Sequence, residues 1–401
     1  MPALTAELRV TTEAGLLRRM VAACCMVLQT VRRAVADGLA SGRRARGLPA
    51  SIASRRPKKT AVPVKRLNLA LQGGGAHGAF TWGALDRLLE DGRADFDGIS
   101  GTSAGAVNAV LLAAGLMEGG AAAARAKLET FWRNISHGLH GELMTGPVLD
   151  AMSGPPGQTW GTPGQIFGMV SRFLSPYQLN PFDYNPLRQQ LEELVNFQRL
   201  RRNSSVRLFI AATDIASGRR RIFENGELTI DTVLASACLP TVHHAVKVGT
   251  RFYWDGGYTA NPVLLPLVQD TEAADTLLIQ VIPLTDLDVP TTQPEIYERL
   301  NRIVFNAPLR QEIEMIALGQ SLSKGLVIGN RSQRRFRRHR FHRIDAAPYT
   351  QGLEPGSRLN PDWGMISRLR ESGRHAAEEW LERQFHAVGK TGTADFAAIF
   401  L

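Results

Sequence analysis

The sequence predicts an α/β fold in which a mostly parallel sheet is covered by helices on both faces. Two observations support this prediction. Short, wholly apolar runs alternate along the chain with longer segments of helical periodicity, which is typical of strands buried on both sides. Each of the first two runs also passes through a glycine-rich turn directly into a helical segment, as parallel strand–helix units do.

The elements follow from these patterns in chain order. A first strand is expected at 67–71 and the helix that follows it at 79–90. A second strand is expected at 96–100, before an apolar helix at 104–116. Further along the chain we expect strands at 206–212 and 277–282, and helices at 295–324 and 361–385.

The positive charge is concentrated in an N-terminal arm. The chain has 47 Lys and Arg against 37 Asp and Glu, a net charge of +10, but residues 1–66 alone hold 14 basic and 3 acidic side chains. The rest of the chain, with 33 basic and 34 acidic side chains, is nearly neutral. A nucleic-acid-binding domain would carry basic stripes on its folded body, so no nucleic-acid partner is expected. We expect residues 1–66 to form a flexible arm and linker.

Two interpretations of the arm stay open. Its apolar run at 20–31 lies between two arginine pairs and is shorter than the roughly 20 residues that span a bilayer. It is either an amphipathic helix on an anionic membrane surface or a disordered extension ahead of a later start site. Three cysteines are too few for a disulfide framework, which favours a reducing compartment. We expect a cytoplasmic protein, with peripheral attachment to the inner face of the membrane as a further hypothesis.

The turn after the first strand is rich in glycine. Without Cβ atoms, its backbone N–H groups can converge on an anion, and the following helix adds its dipole. The same residues satisfy G-x-G-x-x-G, and Asp97 lies about where a ribose-binding acid is expected, so a nucleotide-binding oxidoreductase is the alternative function. The turn reads Gly73-Gly74-Gly75-Ala76-His77-Gly78.

The turn after the second strand favours a different chemistry. It has the pattern G-x-S-x-G between a buried strand and an apolar helix, which is typical of a nucleophile elbow. The alternative is a small-residue turn in which the serine only caps the helix. Two anion-binding turns on successive strands suit acyl transfer, one holding the nucleophile and the other the oxyanion hole. The turn reads Gly101-Thr102-Ser103-Ala104-Gly105.

The candidate base is Asp255, which ends an aromatic strand and precedes Gly256 and Gly257. This arrangement delivers a carboxylate to the edge of the sheet, although a plain turn residue before two glycines is the alternative. His339 and His342 stand in a run of arginines, a poor setting for a neutral imidazole base. A Ser–Asp dyad therefore explains the pattern with the fewest residues.

In this order, the three motifs resemble those of the patatin-like phospholipases, over about residues 67–268. The resemblance implies a three-layer α/β/α fold and a lipid acyl hydrolase that needs neither a metal nor a cofactor. It implies Ser103 as nucleophile, Asp255 as general base, and the backbone of Gly73, Gly74, Gly75 and Ala76 as oxyanion hole. Supporting positions are Gly78, Gly101, Gly105, Gly256, Gly257 and His77, the last standing where many relatives carry Arg or Lys. A catalytically silent lipid-binding protein remains a further alternative.

Three regions lie outside these motifs. Residues 137–186, rich in glycine and proline, form either a lid over an acyl-chain pocket or a peripheral insertion. Residues 269–401 are expected to complete the same α/β domain. The arginine-rich run from Arg331 to Arg343 either attracts anionic lipid headgroups or forms a solvated loop and strand paired with acidic helices. His77 either caps the anion site or lies at the surface.

Overall fold

The computed structural model describes residues 64–142, 175–322, 331–354 and 356–395. The described residues belong to one compact unit, Val62–Leu401. The apolar run at 20–31 and almost all of the predicted arm lie outside the described residues. Most of the insertion at 137–186 lies outside them as well, so the lid hypothesis and the division into domains stay predictions.

A mixed sheet of eight strands forms the centre of the described unit. The strand order is β5-β6-β3-β2-β1-β7-β8, and β4 pairs with β3. Neighbours from β3 to β8 are parallel, whereas β4 and β6 are antiparallel to β3 and β5 is antiparallel to β6. The strands are β1 (Lys65–Leu71), β2 (Ala94–Gly101), β3 (Arg207–Asp214), β4 (Arg220–Glu224), β5 (Val246–Val248), β6 (Arg251–Asp255), β7 (Asp275–Gln280) and β8 (Arg340–Asp345).

Helices cover both faces of the sheet. The α-helices are α1 (Gly78–Asp91), α2 (Ala104–Glu142), α3 (Pro176–Leu179), α4 (Pro186–Leu194), α5 (Phe197–Asn203), α6 (Ile230–Ser236), α7 (Leu265–Asp270), α8 (Gln293–Leu322), α9 (Arg331–Arg338), α10 (Ala347–Thr350) and α11 (Trp363–Arg383). Short 3₁₀ turns lie at Gly75–His77, Asn225–Glu227, Gly256–Tyr258, Ser357–Leu359 and Phe385–Ala387.

The two faces of the sheet bury two separate cores. Leu67, Leu69 and Leu71 of β1 pack with α1, α2, α6 and α11 in one core. Ala70 points to the other face and packs with residues of α7 and α8. Such alternation is expected of a strand buried on both sides. The predicted three-layer α/β/α fold is therefore confirmed.

Strand β6 occupies the edge of β3 at the point where β2 ends. Ala212 of β3 pairs with β4 and also with Asp255 of β6, so β4 and β6 lie on opposite edges of β3. Phe209 pairs with β4 and also with Ser100 of β2, so β2 likewise lies opposite β4. Strands β2 and β6 therefore share one edge, and the antiparallel β6 runs towards the end of β2. This topology brings Asp255 to the turn that follows β2.

Helix α2 extends far beyond the predicted 104–116. It includes a break at Gly119 and Gly120, whose backbone angles are not helical. Within the described residues, Ala104–His137 is the one helix with the length and apolarity to cross a membrane, and 56% of its apolar window is buried in the fold. A buried core helix passes the same test of length and composition.

The arginine-rich run differs from the loop and strand expected for it. Residues Arg331–Arg338 form helix α9, and Arg340–Asp345 form strand β8 at the edge of the sheet. The expected strand is therefore present, whereas a helix stands in place of the expected loop. The late helices were predicted within two residues of their ends.

Candidate active site

Ser103 lies in the sharp turn between β2 and α2. Its φ of 56° falls in the left-handed region that residues other than glycine rarely adopt. The turn is tight because Gly105 packs directly on the carbonyl of Leu71, where any side chain would clash. The strand–turn–helix context expected of a nucleophile elbow is therefore present.

Hydrogen bonds from separate parts of the chain hold this elbow. The N–H of Ser103 donates to Ser236 Oγ at 3.0 Å, and Thr102 Oγ1 donates to the carbonyl of Ala260 at 2.8 Å. Ser103 itself is 8% exposed. Its backbone is thus fixed, and its hydroxyl lies in a nearly enclosed environment.

The glycine-rich turn lies directly against the serine. A Cβ on Gly73 would lie 2.8 Å from the Cβ of Ser103, so only glycine allows this approach. The N–H of Gly73 donates to Asn261 Oδ1 at 2.8 Å, which fixes the start of the turn. This bond corrects the expectation that Gly73 is an oxyanion donor, because its N–H already has an acceptor. Gly73 instead positions the turn.

The next three N–H groups have a different status. Those of Gly74, Gly75 and Ala76 find no acceptor among the described residues. Gly75 has a φ of 58° and packs on the carbonyl of Arg358. Gly78, at the start of α1, accepts a hydrogen bond from Asn108 Nδ2 at 3.1 Å through its carbonyl. The turn can therefore present up to three donors to an anion next to Ser103.

His77 is buried, so the surface alternative was wrong. It is 5% exposed, and its Nε2 lies 2.9 Å from Ser357 Oγ. Burial, together with the positive charges of Arg358 and Arg302, lowers the pKa of His77 to about 3. The imidazole is therefore neutral near pH 7 and fixes the turn from behind.

Asp255 is fully buried at the end of β6. Its N–H donates to the carbonyl of Cys238 at 2.7 Å, and its Oδ1 accepts the N–H of Gly257 at 2.7 Å. Its Oδ2 is buried and has no well-aligned hydrogen bond with any described residue. A Cβ on Gly256 would lie 3.0 Å from Thr102 Cγ2, so the aspartate motif contacts the elbow.

The carboxyl of Asp255 can change its protonation state near neutral pH. Burial raises the pKa of Asp255 to about 7, against opposing contributions from the N–H of Gly257 and the hydroxyl of Ser103. The contribution of Ser103 requires its hydroxyl to lie close to the carboxyl, even though no well-aligned hydrogen bond joins the two groups. A base with a pKa near 7 is suited to accept a proton from a serine.

Two amides that the sequence did not indicate organise this edge of the sheet. Gln72 Oε1 accepts the N–H groups of Val281 and Ile282, each at 2.8 Å, and thereby joins the ends of β1 and β7. Gln72 Nε2 also donates to Asn306 Oδ1 on α8 at 3.1 Å. These partners are about 200 residues apart in the chain, so no local pattern could have revealed them.

Residues considered for other functions lie elsewhere. Asp97 accepts the N–H groups of Glu272 and Ala273 and pairs with Arg66, so its carboxylate is not available for a ribose. His339 and His342 contact Thr276 and Asp275 at the start of β7. They therefore lie at the N-terminal ends of the parallel strands, whereas Ser103 lies at the C-terminal ends. Within the described ranges, no three His, Cys, Asp or Glu side chains group as a metal site requires.

The histidine argument therefore needs a correction. Both histidines are buried, not solvated among arginines. Burial lowers the pKa of His339 to about 3, so its imidazole is neutral. What removes these histidines from the dyad is their position in the sheet and not their charge.

Comparison with known proteins gives distant structural likenesses. VipD from Legionella pneumophila is 14% identical with a TM-score of 0.33, covering 79% of this chain and 67% of that chain. The complex of SpcU with ExoU from the type III secretion system of Pseudomonas aeruginosa gives 16% identity and a TM-score of 0.30, covering 80% of this chain and 53% of that chain. This chain thus spans about half to two thirds of their lengths, and these likenesses carry no functional conclusion. No curated protein matches the chain.

The family model gives the clearer finding. Residues 69–268 match the family described as patatin-like phospholipase, and this range includes the glycine-rich turn, the serine elbow and the aspartate motif. Together with the three-layer fold, this match confirms the family that the three motifs indicated. Through these residues the chain belongs to the patatin-like phospholipase family, a family of lipid acyl hydrolases.

Proposed function

We propose that this protein hydrolyses acyl ester bonds of lipids with Ser103 as nucleophile and Asp255 as general base. The environment of Asp255 is the observation that carries the proposal. The carboxyl is buried beside the elbow, one of its oxygens has no well-aligned hydrogen bond with any described residue, and its pKa of about 7 suits proton transfer. Buried polar groups in folded proteins nearly always have a hydrogen-bond partner, so an exception with a shifted pKa next to a candidate nucleophile favours a catalytic role.

The proposed reaction has two steps. Asp255 takes the proton of the Ser103 hydroxyl while Oγ bonds to the ester carbonyl carbon, which forms a tetrahedral anion. The anion collapses to an acyl-serine as the C–O bond to the alcohol breaks, and the alcohol leaves with the proton from Asp255. Water, deprotonated by Asp255, then attacks the acyl-serine and releases the fatty acid. Ser103 regains its proton, so the enzyme is restored.

The backbone of the glycine-rich turn would stabilise the tetrahedral anion. We assign this role to the N–H groups of Gly74, Gly75 and Ala76, since that of Gly73 donates to Asn261. Each donor of this kind typically contributes about 2.7–4 kcal/mol to the transition state. His77 stays neutral and holds the turn through Ser357.

The test is hydrolysis of a lipid panel by the purified full-length protein. The panel contains a phosphatidylcholine, a lysophospholipid, a triacylglycerol and a water-soluble short-chain ester, and mass spectrometry measures the fatty acid released. Ser103→Ala should lower the rate about 10⁴-fold or more on every ester that the wild type cleaves. Ser372→Ala removes a hydroxyl that donates to the carbonyl of Arg368 within α11, and it should leave the rate unchanged. Equal rates for wild type and Ser103→Ala would refute the proposal, and release from one lipid class would identify the substrate.

A further inference from the structure

Asn261 is a fully buried amide on the segment that follows Asp255. Its side chain makes two hydrogen bonds at once. Oδ1 accepts the N–H of Gly73 at 2.8 Å, and Nδ2 donates to the carbonyl of Phe305 on α8 at 3.1 Å. The backbone carbonyl of Asn261 also accepts a hydrogen bond from Gln72 Nε2 at 3.4 Å. The amide therefore connects the glycine-rich turn to a helix from a distant part of the chain.

The bond to Gly73 fixes the point at which the chain leaves β1. Because a peptide unit is planar, holding the N–H of Gly73 also holds the whole peptide that joins Gln72 to Gly73. Rotation of this peptide would change the direction of the N–H groups that follow it in the turn. A Cβ on Gly73 would lie 2.8 Å from the Cβ of Ser103, so Asn261 acts where the turn contacts the serine.

The donor side of Asn261 is anchored on a turn of α8. Pro308 lies within this helix and has no N–H, so α8 lacks one helical hydrogen bond in the turn before it. Asn261 supplies a donor to that turn through the carbonyl of Phe305. The next residue, Asn306, accepts Gln72 Nε2 at 3.1 Å through its Oδ1. Two successive residues of α8 thus hold both amides that contact the start of the glycine-rich turn.

The segment of Asn261 also holds the serine elbow. The carbonyl of Ala260 accepts the hydroxyl of Thr102 at 2.8 Å, and Thr102 directly precedes Ser103. Ala260 and Asn261 are consecutive, so one short stretch of backbone binds the elbow with one residue and the glycine-rich turn with the next. The separation between the nucleophile and the turn therefore depends on this stretch.

We propose that Asn261 is a positioning residue for the oxyanion hole. By holding Gly73, it directs the N–H groups of Gly74, Gly75 and Ala76 towards the oxygen of the tetrahedral anion on Ser103. Such donors stabilise a transition state only when they are already aligned, because realignment during the reaction costs free energy. Since the oxyanion hole belongs to the proposed reaction, this proposal rests on the proposed function. Loss of Asn261 should weaken transition-state binding more than substrate binding.

The test compares a substrate with a transition-state analogue in the purified full-length protein. A water-soluble short-chain ester gives kcat and KM. An alkyl trifluoromethyl ketone gives an inhibition constant: Ser103 Oγ adds to its carbonyl carbon, the proton passes to Asp255, and a tetrahedral oxyanion remains. Asn261→Ala should lower kcat about 100-fold and raise the inhibition constant by about the same factor. Its KM should stay within about threefold of the wild-type value.

Asn68→Ala is the matched control. Asn68 is also a fully buried amide, and its Nδ2 donates to the carbonyls of Leu267 and Ala273 at 3.3 and 3.2 Å. Neither bond involves the serine elbow or the glycine-rich turn. Urea unfolding should show a loss of stability in both alanine variants, but the inhibition constant of Asn68→Ala should stay within about threefold of wild type. Equal rises of the inhibition constant in the two variants would overturn the proposal, since any lost buried amide would then have the same effect.

A second variant keeps the size of the side chain. In Asn261→Asp, burial favours the neutral carboxyl, which can accept the N–H of Gly73 and donate to the carbonyl of Phe305 as the amide does. At about pH 6 this variant should therefore keep at least about tenfold more activity than Asn261→Ala. Wild-type inhibition constants in both folded variants, or no recovery in Asn261→Asp, would show that Asn261 does not position the donors.

Failure of the proposed function gives a different result. If wild type and Ser103→Ala hydrolyse the ester at equal rates, the proposed function is wrong and the role of Asn261 falls with it. If hydrolysis depends on Ser103 but the ketone inhibits Asn261→Ala as tightly as the wild type, only the role of Asn261 is wrong.

Discussion

Two buried aspartates of the same sheet have opposite surroundings. Asp255, at the end of β6, has one hydrogen bond to Oδ1, and burial raises its pKa to about 7. Asp275, at the start of β7, accepts hydrogen bonds from Arg340 at 2.6 and 2.9 Å and from the N–H of Gly389 at 3.1 Å, with His342 Nε2 at 3.1 Å. Burial acts to raise the pKa of Asp275, but these partners outweigh it and hold the pKa well below its usual range.

The difference is the one we expect between a structural carboxylate and the proposed general base. Asp275 keeps its charge because Arg340 and the N–H of Gly389 donate hydrogen bonds to its carboxylate. These bonds also connect β8 and the segment after α11 to the sheet. Asp255 lacks such donors, so burial destabilises its ionised form and the carboxyl can bind a proton near neutral pH. Burial alone does not distinguish the two residues; their hydrogen-bond partners do.

Replacing each aspartate by asparagine should give the largest contrast. Asp255→Asn should lower kcat/KM on a water-soluble ester about 10⁴-fold, because an amide cannot accept the serine proton. Asp275→Asn should stay within about tenfold of wild type at a temperature where it is folded. Steady-state kinetics of the two variants provides the check, and similar losses in both would remove the distinction.

The two asparagine variants should rank in the opposite order in stability, with Asp275→Asn the more strongly affected. Asp275→Asn leaves Arg340 without its charged partner and should lower the free energy of unfolding by about 3 kcal/mol. The contribution of Asp275 should be present above its unfolded pKa of about 4 and lost as the pH falls below that value, since its folded pKa is depressed.

For Asp255 the sign is reversed. Its folded pKa is raised, so its ionisation costs stability as the pH rises through about 7. At about pH 8, Asp255→Asn should therefore be at least as stable as the wild type. Urea unfolding of both variants at several pH values measures these differences, and a strongly destabilised Asp255→Asn at high pH would contradict the assignment.

The pH dependence of the wild type should show the smallest but most specific effect. Because Asp255 must be ionised to accept a proton, log kcat/KM should rise by about one per pH unit below about pH 7 and level off above it. A water-soluble ester keeps vesicle binding out of the measurement. A flat profile between about pH 5 and 8 would show that no group with such a pKa limits the reaction.

The sequence predicted the parts of the site that depend on local geometry. The elbow at Ser103 and the glycine-rich turn are short motifs whose backbone conformation follows from their own residues. Asp255 was predicted as the candidate base because an aromatic strand and two glycines surround it. Gln72, Ser236 and Asn261 were missed because their roles depend on partners from distant parts of the chain, which only the folded sheet brings together.

The same limit explains the errors. Gly73 satisfies the motif for an anion-binding turn, but its N–H is taken by Asn261, about 190 residues away. The histidines of the arginine-rich run were judged by their neighbours in sequence, although β7 and α11 bury them. Whether a side chain on a strand is buried depends on the elements that cover the strand. The charge of neighbouring residues in the sequence therefore did not predict the burial of these histidines.

Labelling with a fluorophosphonate ester tests the central claim, that Asp255 activates Ser103, most directly. The full-length protein should be modified at Ser103, as identified by the mass of the labelled peptide. The labelling rate should fall at least about 100-fold in Asp255→Asn and stay near the wild-type rate in Asp275→Asn. Modification of a different residue, or equal rates in the wild type and Asp255→Asn, would contradict the account.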